Sequence, residues 1–407
     1  MTEPAYDPAK IFVRGGGLTE GIEWGYWLAV TVFWVVELEL SALQLVLMGT
    51  VLELSVLLAE TPTGVVADLV SRKRSLMIAQ VVMGIGFIWS VVSTNYWVIL
   101  PAQVLFGVGW TFRSGADTAW VTDELKGMGE VDDDDIEQLL LRKHRFGIVM
   151  AIVFLLVIMV IGTLTTVRWA AVAGGVLQIA VAIYFRLYMR EDHFTPGRET
   201  EATFMQTLQR GLGVVRGSKR LRTLVVVVLL IDFGSEAFDR LGHKHFLDTA
   251  AFDDASLLGL GALFLALALA GLVANHLAGS ALKNKRGVAR VAVLLLVVAG
   301  LGGLLAAITN IVIVIAIGFM LQDSTREALW PVLEGWANRD APSDVRATIH
   351  SLMGQTTALG ELAGGLTLGV VAEATSIEVT LIIAAVGWLL AGVIATRGIE
   401  RQPASVN

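Results

Sequence analysis

Apolar residues in this chain come in blocks close to twenty residues long, and no other feature constrains its fold as much. A helix needs about 20 residues to cross the hydrocarbon core of a bilayer. Lipid offers no partner to a free backbone N–H or C=O, so such blocks have to be helical. Of 407 residues, 55% are hydrophobic and 16% charged, where a soluble domain carries about 25% charged. The absence of cysteine excludes a disulfide scaffold, an iron–sulfur centre and a thiol nucleophile. The net charge of −7 says little, because most acids fall in loops and tails. The stretch Met1 to Lys10 lacks the basic-then-apolar pattern of a cleaved signal, so the first span is expected to stay as an anchor.

Twelve spans can be read. The first six fall at 12–36, 42–62, 75–94, 97–121, 145–166 and 168–187, and the second six at 222–241, 256–279, 289–307, 310–335, 347–371 and 377–396. Two connections are long: 122–144, with the run Asp132–Asp135, and 188–221. With both termini placed inside, outer loops hold only Arg168, Arg240 and Lys244 of the 30 basic residues. The positive-inside rule therefore predicts cytoplasmic termini. Residues 1–187 and 222–407 are expected to form two six-helix bundles, joined by a cytoplasmic linker over 188–221. Phe204, Leu208, Leu212 and Val215 repeat at helical spacing beside Arg210, Arg216, Lys219 and Arg220. That pattern suits either an amphipathic helix on the inner leaflet or a solvated linker.

An internal repeat supports the division. Arg72-Lys73-Arg74 is echoed by Lys283-Asn-Lys285-Arg286, and Ala119-Trp120…Glu124 by Leu329-Trp330…Glu334, both at an offset of about 210 residues.

Three segments then resemble the major facilitator superfamily. They are Glu60-Thr-Pro-Thr-Gly64-Val-Val-Ala-Asp68-Leu-Val-Ser71-Arg72-Lys73-Arg74, Ser114-Gly115-Ala-Asp117-Thr-Ala-Trp120-Val-Thr-Asp123-Glu124, and Arg346-Ala-Thr-Ile-His350-Ser351-Leu. The resemblance covers nearly the whole chain and implies an all-α membrane protein of about twelve transmembrane helices in two pseudo-symmetric six-helix bundles. It is nearest to bacterial drug:proton antiporters of the tetracycline and macrolide efflux type. Ser71 stands where that signature usually has Gly, and Gln103 where many antiporters have an intramembrane Arg. The resemblance also implies a conformational latch. Gly64 would permit close helix packing, Asp68 would be the latch acid beside Arg72 and Arg74, and Asp123 and Arg145 would be its partners.

Charge within the spans marks the candidate cavity, since an ionised group near a helix centre costs about 2.5–3.5 kcal/mol on insertion scales. The shortlist for proton coupling and the substrate cavity is Glu23, Glu53, Arg113, Asp232, Glu236, Asp323, Arg326, Glu327 and Glu361. Glu53, Asp232 and Glu361 lack an obvious adjacent cation and are the favoured carriers. Glu236 with Arg240, Arg113 with Asp117, and Arg326 with Asp323 or Glu327 read more naturally as structural pairs. His243 and His245 beside Asp248 fall in a predicted exposed outer loop, which argues against a metal site. Trp24, Trp27, Trp34, Trp110 and Trp120 either stack on an aromatic ligand or anchor at the interface.

The expected function is proton-coupled export of hydrophobic or cationic small molecules by alternating access, with an importer or lipid transporter as the alternative. The expected partners are a small-molecule substrate, protons and the bilayer. The chain is expected to be monomeric in the cell inner membrane, with no cofactor, no metal and no nucleic acid. A membrane-embedded hydrolase would need a nucleophile beside a base or a metal motif, and only His350 next to Ser351 approaches that.

Overall fold

The computed structural model describes residues 6–129, 133–196, 204–252, 255–283, 287–340 and 346–398. Asp132, Asn284 to Arg286 and residues 341–345 lie outside them, as do the side chains of Phe204, Leu208, Arg210, Lys283, Arg346, His350 and Ser351. Among the described residues all regular structure is helical.

In the first half, α1 is Pro8–Val32, α2 Ala42–Leu69, α3 Arg72–Trp89, α4 Tyr96–Ile99, α5 Pro101–Arg113, α6 Ala116–Gly127, α7 Asp133–Leu164 and α8 Val167–Tyr188. The linker holds α9, Phe204–Gly217. In the second half, α10 is Lys219–Ala237, α11 His243–Ala250, α12 Ser256–Lys283, α13 Val288–Ala307, α14 Val312–Asp340, α15 Arg346–Ala374 and α16 Ile377–Ala395. The short pieces α4, α5 and α6 together form the fourth span, and α10 with α11 the seventh.

Four helix starts carry hydroxyl caps. The hydroxyls of Ser71, Thr166, Ser218 and Ser376 accept from the N–H groups of Arg74, Trp169, Leu221 and Val379. Pro62 sits inside α2, where Thr63 Oγ1 donates to the carbonyls of Ala59 and Glu60 close by. Among the described residues, six helices are long and apolar enough to cross a membrane by length and composition: α2, α8, α12, α13, α16 and α7 from Gln138. The other spans carry charge or polar, glycine-rich stretches, and the fourth is broken.

Two compact units emerge. One comprises residues up to Leu40, Val51–Glu201 and Asp253–Leu265; the other comprises Ser41–Thr50, Ala202–Phe252 and Ala266 onward. In the first unit α1 packs on α7 and α8, and α3 on α5 and α8. A Cβ at Gly84 would lie 2.6 Å from the Gly175 carbonyl oxygen, so α3 and α8 meet backbone to backbone. The Tyr26 and Phe87 rings stack at 3.6 Å. In the second unit α13 packs on α14 and α16, and α10 on α15 and α16. There Trp388 Nε1 donates to the Ile231 carbonyl at 2.8 Å, and its ring stacks on Phe238 at 4.8 Å.

The first helix of each half runs into a π turn, Phe33–Glu37 after α1 and Phe238–Gly242 after α10. Both turns open on a buried phenylalanine. Their separation is close to the repeat offset of about 210 residues. Single π turns inside helices frequently mark functional sites.

Several expectations are corrected. His243 and His245 lie on α11 and not in an exposed loop; His245 is 3% exposed, and its Nε2 is 3.1 Å from the Ala306 carbonyl. The helix continues through the π turn, so Glu236 and Arg240 lie mid-helix and not at an outer end. Much of the 122–144 connection is helical, as the end of α6 and the start of α7. The linker is not a bare solvated tether, because α9 packs on α15 and α10. Among the described residues, a Cβ at Gly64 would meet nothing within 4 Å, so no close helix contact marks that position there. Trp34 and Trp120 are buried and bonded to the carbonyls of Ser90 and Arg190, which makes them core residues and not interfacial anchors.

Candidate functional site

In the first unit, α1 and the end of α5 bring Glu23 to Arg113. Two N–H···O contacts, at 2.5 and 3.2 Å, form a fork on the carboxylate. The side chains are 11% and 17% exposed, and the guanidinium lies 4.4 Å from the Trp110 ring. The expected Arg113–Asp117 pair does not form. The helix breaks at Ser114-Gly115, where Gly115 takes φ +71°, so residues 113 and 117 do not share one helical face. Asp117 instead pairs with Lys143 of α7, whose ammonium also sits 4.9 Å from the Phe12 ring. Behind these charges, Gln80 Oε1 accepts from Thr19 Oγ1 and Gln178 Nε2, and all three side chains are buried. Gln103 is wholly buried on α5, and neither amide atom makes a hydrogen bond among the described residues.

In the second unit the π turn presents Asp239 to α14. Arg326 Nη2 lies 3.0 Å from Asp239, 3.3 Å from Asp323 and 3.7 Å from Glu327. One guanidinium therefore serves three carboxylates. Glu236 and Arg240 pair at 3.1 Å, and Gly49 of α2 fits against both; a Cβ there would overlap the carboxylate. Asp232 is 7% exposed, and Gly360 of α15 packs on its Cβ. Glu361 is half-buried on α15, while Glu53 is half-buried on α2 in the other unit. Sequence reasoning missed Asp239, because its partner is 87 residues away and helical spacing shows only the Glu236–Arg240 pair.

The basic start of α3 is a second cluster. Arg72 pairs with Asp123, donates to the Ala119 carbonyl at 2.7 Å and lies 5.8 Å from the Phe194 ring. Asp68 is 66% exposed and 4.0 Å from Arg72, so Asp123 and not Asp68 is the main partner. Arg74 and Arg145 are exposed. Burial pushes the Asp123 carboxyl above the ordinary carboxylate range; Glu124, Asp68 and Glu191 add to that, while Arg72 opposes it. The segment after α8 completes the cluster. Glu191 accepts from Ser71 Oγ at 2.5 Å and from the Lys73 N–H at 3.0 Å, placing an anion on the α3 N-terminus. Buried Glu124 accepts from the His193 N–H at 3.0 Å and from the Tyr6 hydroxyl at 3.4 Å, and burial also lifts the Tyr6 pKa. These partners escaped sequence reasoning because 188–221 reads only as a connection.

No family model and no curated protein matches the sequence. Solved structures do match. A mutant of the nucleoside transporter NupG superposes with a TM-score of 0.79 at 12% identity, covering 96% of this chain and 100% of that one. A bacterial homolog of the human lysosomal transporter Spinster gives 0.71 at 14% identity, covering 99% and 100%. A D-xylose–proton symporter gives 0.71 at 13% identity, covering 96% and 97%. At such identities the likeness is one of fold, and this multi-pass membrane chain has the all-α major facilitator fold.

Proposed function

We propose that this protein is a secondary active transporter that moves a small molecule by alternating access, coupled to protons carried on α14. The observation that supports this is Arg326 shared by Asp239, Asp323 and Glu327 within 3.0–3.7 Å. One guanidinium balances one carboxylate. Two further negative charges in a membrane helix bundle would each cost about 2.5–3.5 kcal/mol on insertion scales. A proton on Asp323 or Glu327 removes one of these two costs, and releasing it restores the repulsion, which is what a carrier requires. These two acids come ahead of Glu53, Asp232 and Glu361 because their shared cation is defined. The Glu23–Arg113 fork of the first unit is balanced one to one and serves as a positioning pair. Both termini are read as cytoplasmic, in the cell inner membrane, and the chain as a monomer.

Export of hydrophobic or cationic compounds is the first reading, and the acid excess favours a cationic over an anionic substrate. Import is the second reading, favoured by likeness to a D-xylose–proton symporter and a nucleoside transporter. Purified protein in liposomes with an imposed pH gradient tests the coupling. Acidifying the side from which protons enter should drive solute flux, and Asp323→Asn should leave exchange without a gradient while removing gradient-driven flux. Gradient-driven flux that survives Asp323→Asn and Glu327→Gln together would sink the assignment.

A further inference from the structure

A small cavity lies inside the first unit, beside its two charge pairs. Thr19 of α1, Gln80 of α3, Arg113 of α5 and Asp117 of α6 are the polar residues that line it. Phe12, Leu76, Trp120 and Met189, none more than 3% exposed, form much of the remaining wall. Its volume is about 20 Å³, and one water molecule needs about 10–15 Å³. A solute of several heavy atoms does not fit. Gln80 is 0% exposed, and its Oε1 accepts from Thr19 Oγ1 at 3.2 Å and from Gln178 Nε2 at 2.6 Å. Its Nε2 has no hydrogen-bond partner among the described residues. A buried amide donor costs free energy until an acceptor meets it. The charges nearby are balanced, Arg113 with Glu23 and Lys143 with Asp117, so neither a cation nor an anion is called for. Asp117 Oδ1 accepts from the N–H and hydroxyl of Thr118, while Oδ2 accepts from Lys143 and keeps a second lone pair.

The geometry points to one ordered water molecule bound in this cavity, accepting from Gln80 Nε2 and donating to the Asp117 carboxylate. Size selects water, the balanced charges select a neutral molecule, and the donor and acceptor on the wall select one that both accepts and donates. The water joins the buried network of Thr19, Gln80 and Gln178 to the two charge pairs. Helices α1, α3, α5, α6 and α8 then share one continuous polar network through the core of the unit. A wholly apolar cavity of this kind would stay dry; here a dry cavity would leave the Gln80 amide unpaired. The site belongs to the core of the first unit and does not depend on coupling at α14.

The test is X-ray radiolytic footprinting of the purified full-length chain in detergent, read by mass spectrometry. Radiolysis makes hydroxyl radicals from water in place, so a buried side chain is oxidised where an ordered water touches it. Trp120 and Met189, each 2% exposed, should be oxidised. Trp388 and Met48, 1% and 0% exposed and no part of the cavity wall, should stay unlabelled and supply the comparison of like with like. Gln80→Leu removes the amide donor and Leu76→Phe fills the space, and either should lose the label at Trp120 and Met189. Leu76→Phe should also lower the thermal midpoint, because it displaces the acceptor that Gln80 needs; filling a dry cavity would raise it. Trp120 and Met189 labelled no faster than Trp388 and Met48 would overturn the site. So would a label that survives both substitutions, or a raised midpoint in Leu76→Phe. Should neither variant fold, the comparison within the wild-type chain decides alone.

Discussion

Replacing Glu23 with Gln strands the Arg113 guanidinium in a site where it is 17% exposed. Breaking a buried ion pair by removing one partner costs about 3–5 kcal/mol, because the other charge stays buried and uncompensated. Two local features reduce this. The Trp110 ring still faces the guanidinium, worth about 0.5–2 kcal/mol depending on desolvation, and Asp117 still acts on it electrostatically. Glu23→Gln should therefore cost about 2–3 kcal/mol, and Arg113→Gln a similar amount. The double variant leaves two neutral amides that bond to each other and should cost about 1 kcal/mol. The coupling in that cycle is then about 3–5 kcal/mol, outside the additive range expected of independent sites. Asp239→Asn supplies the contrast. It leaves Arg326 with Asp323 at 3.3 Å and Glu327 at 3.7 Å, so the cation stays paired and the cost should be within about 0.5 kcal/mol. Reversible unfolding of each variant in mixed micelles, with denaturing detergent as titrant, measures all five proteins on one scale. Additive costs in the Glu23–Arg113 cycle, or Asp239→Asn as damaging as Glu23→Gln, would refute the reasoning that one fork is balanced and the other has acids to spare.

Three further outcomes follow from local geometry. Gly115→Ala should destabilise by about 1–2 kcal/mol in the same unfolding assay, since the residue sits at φ +71° with open space around a Cβ, so the cost is backbone strain alone. Ser71→Ala should cost about 1 kcal/mol by removing the α3 cap, and Ser71→Gly only a few tenths. Because burial holds the Asp123 pKa above its unfolded value, the folded chain keeps that proton longer than the unfolded chain does. That contribution is present below the unfolded pKa and is lost as pH rises through the folded one, so stability against pH should fall across that interval and Asp123→Asn should flatten the fall.

What the chain alone determined was its solvent and its architecture. Blocks near twenty residues, a 210-residue echo and the run Gly64 to Arg74 suffice for twelve helices in two related halves, because lipid leaves a spanning segment few alternatives. The capping hydroxyls at Ser71, Thr166, Ser218 and Ser376 are local too, and can be read wherever a helix begins. Pairing is different. Helical spacing proposed Arg113 with Asp117, yet one left-handed glycine between them turned Arg113 to Glu23 and Asp117 to Lys143. Helical spacing found Glu236 with Arg240 but could not see Asp239, which a π turn delivers to Arg326 on another helix. Asp68 and Asp123 were both read beside the basic start of α3, and it is Asp123 that takes the shorter ion pair with Arg72, because α6 brings it there. Along one helix the partner of a charge follows from 3.6 residues per turn. Between helices it depends on small departures from that period, one positive φ or one widened turn, and those are decided only when the helices pack.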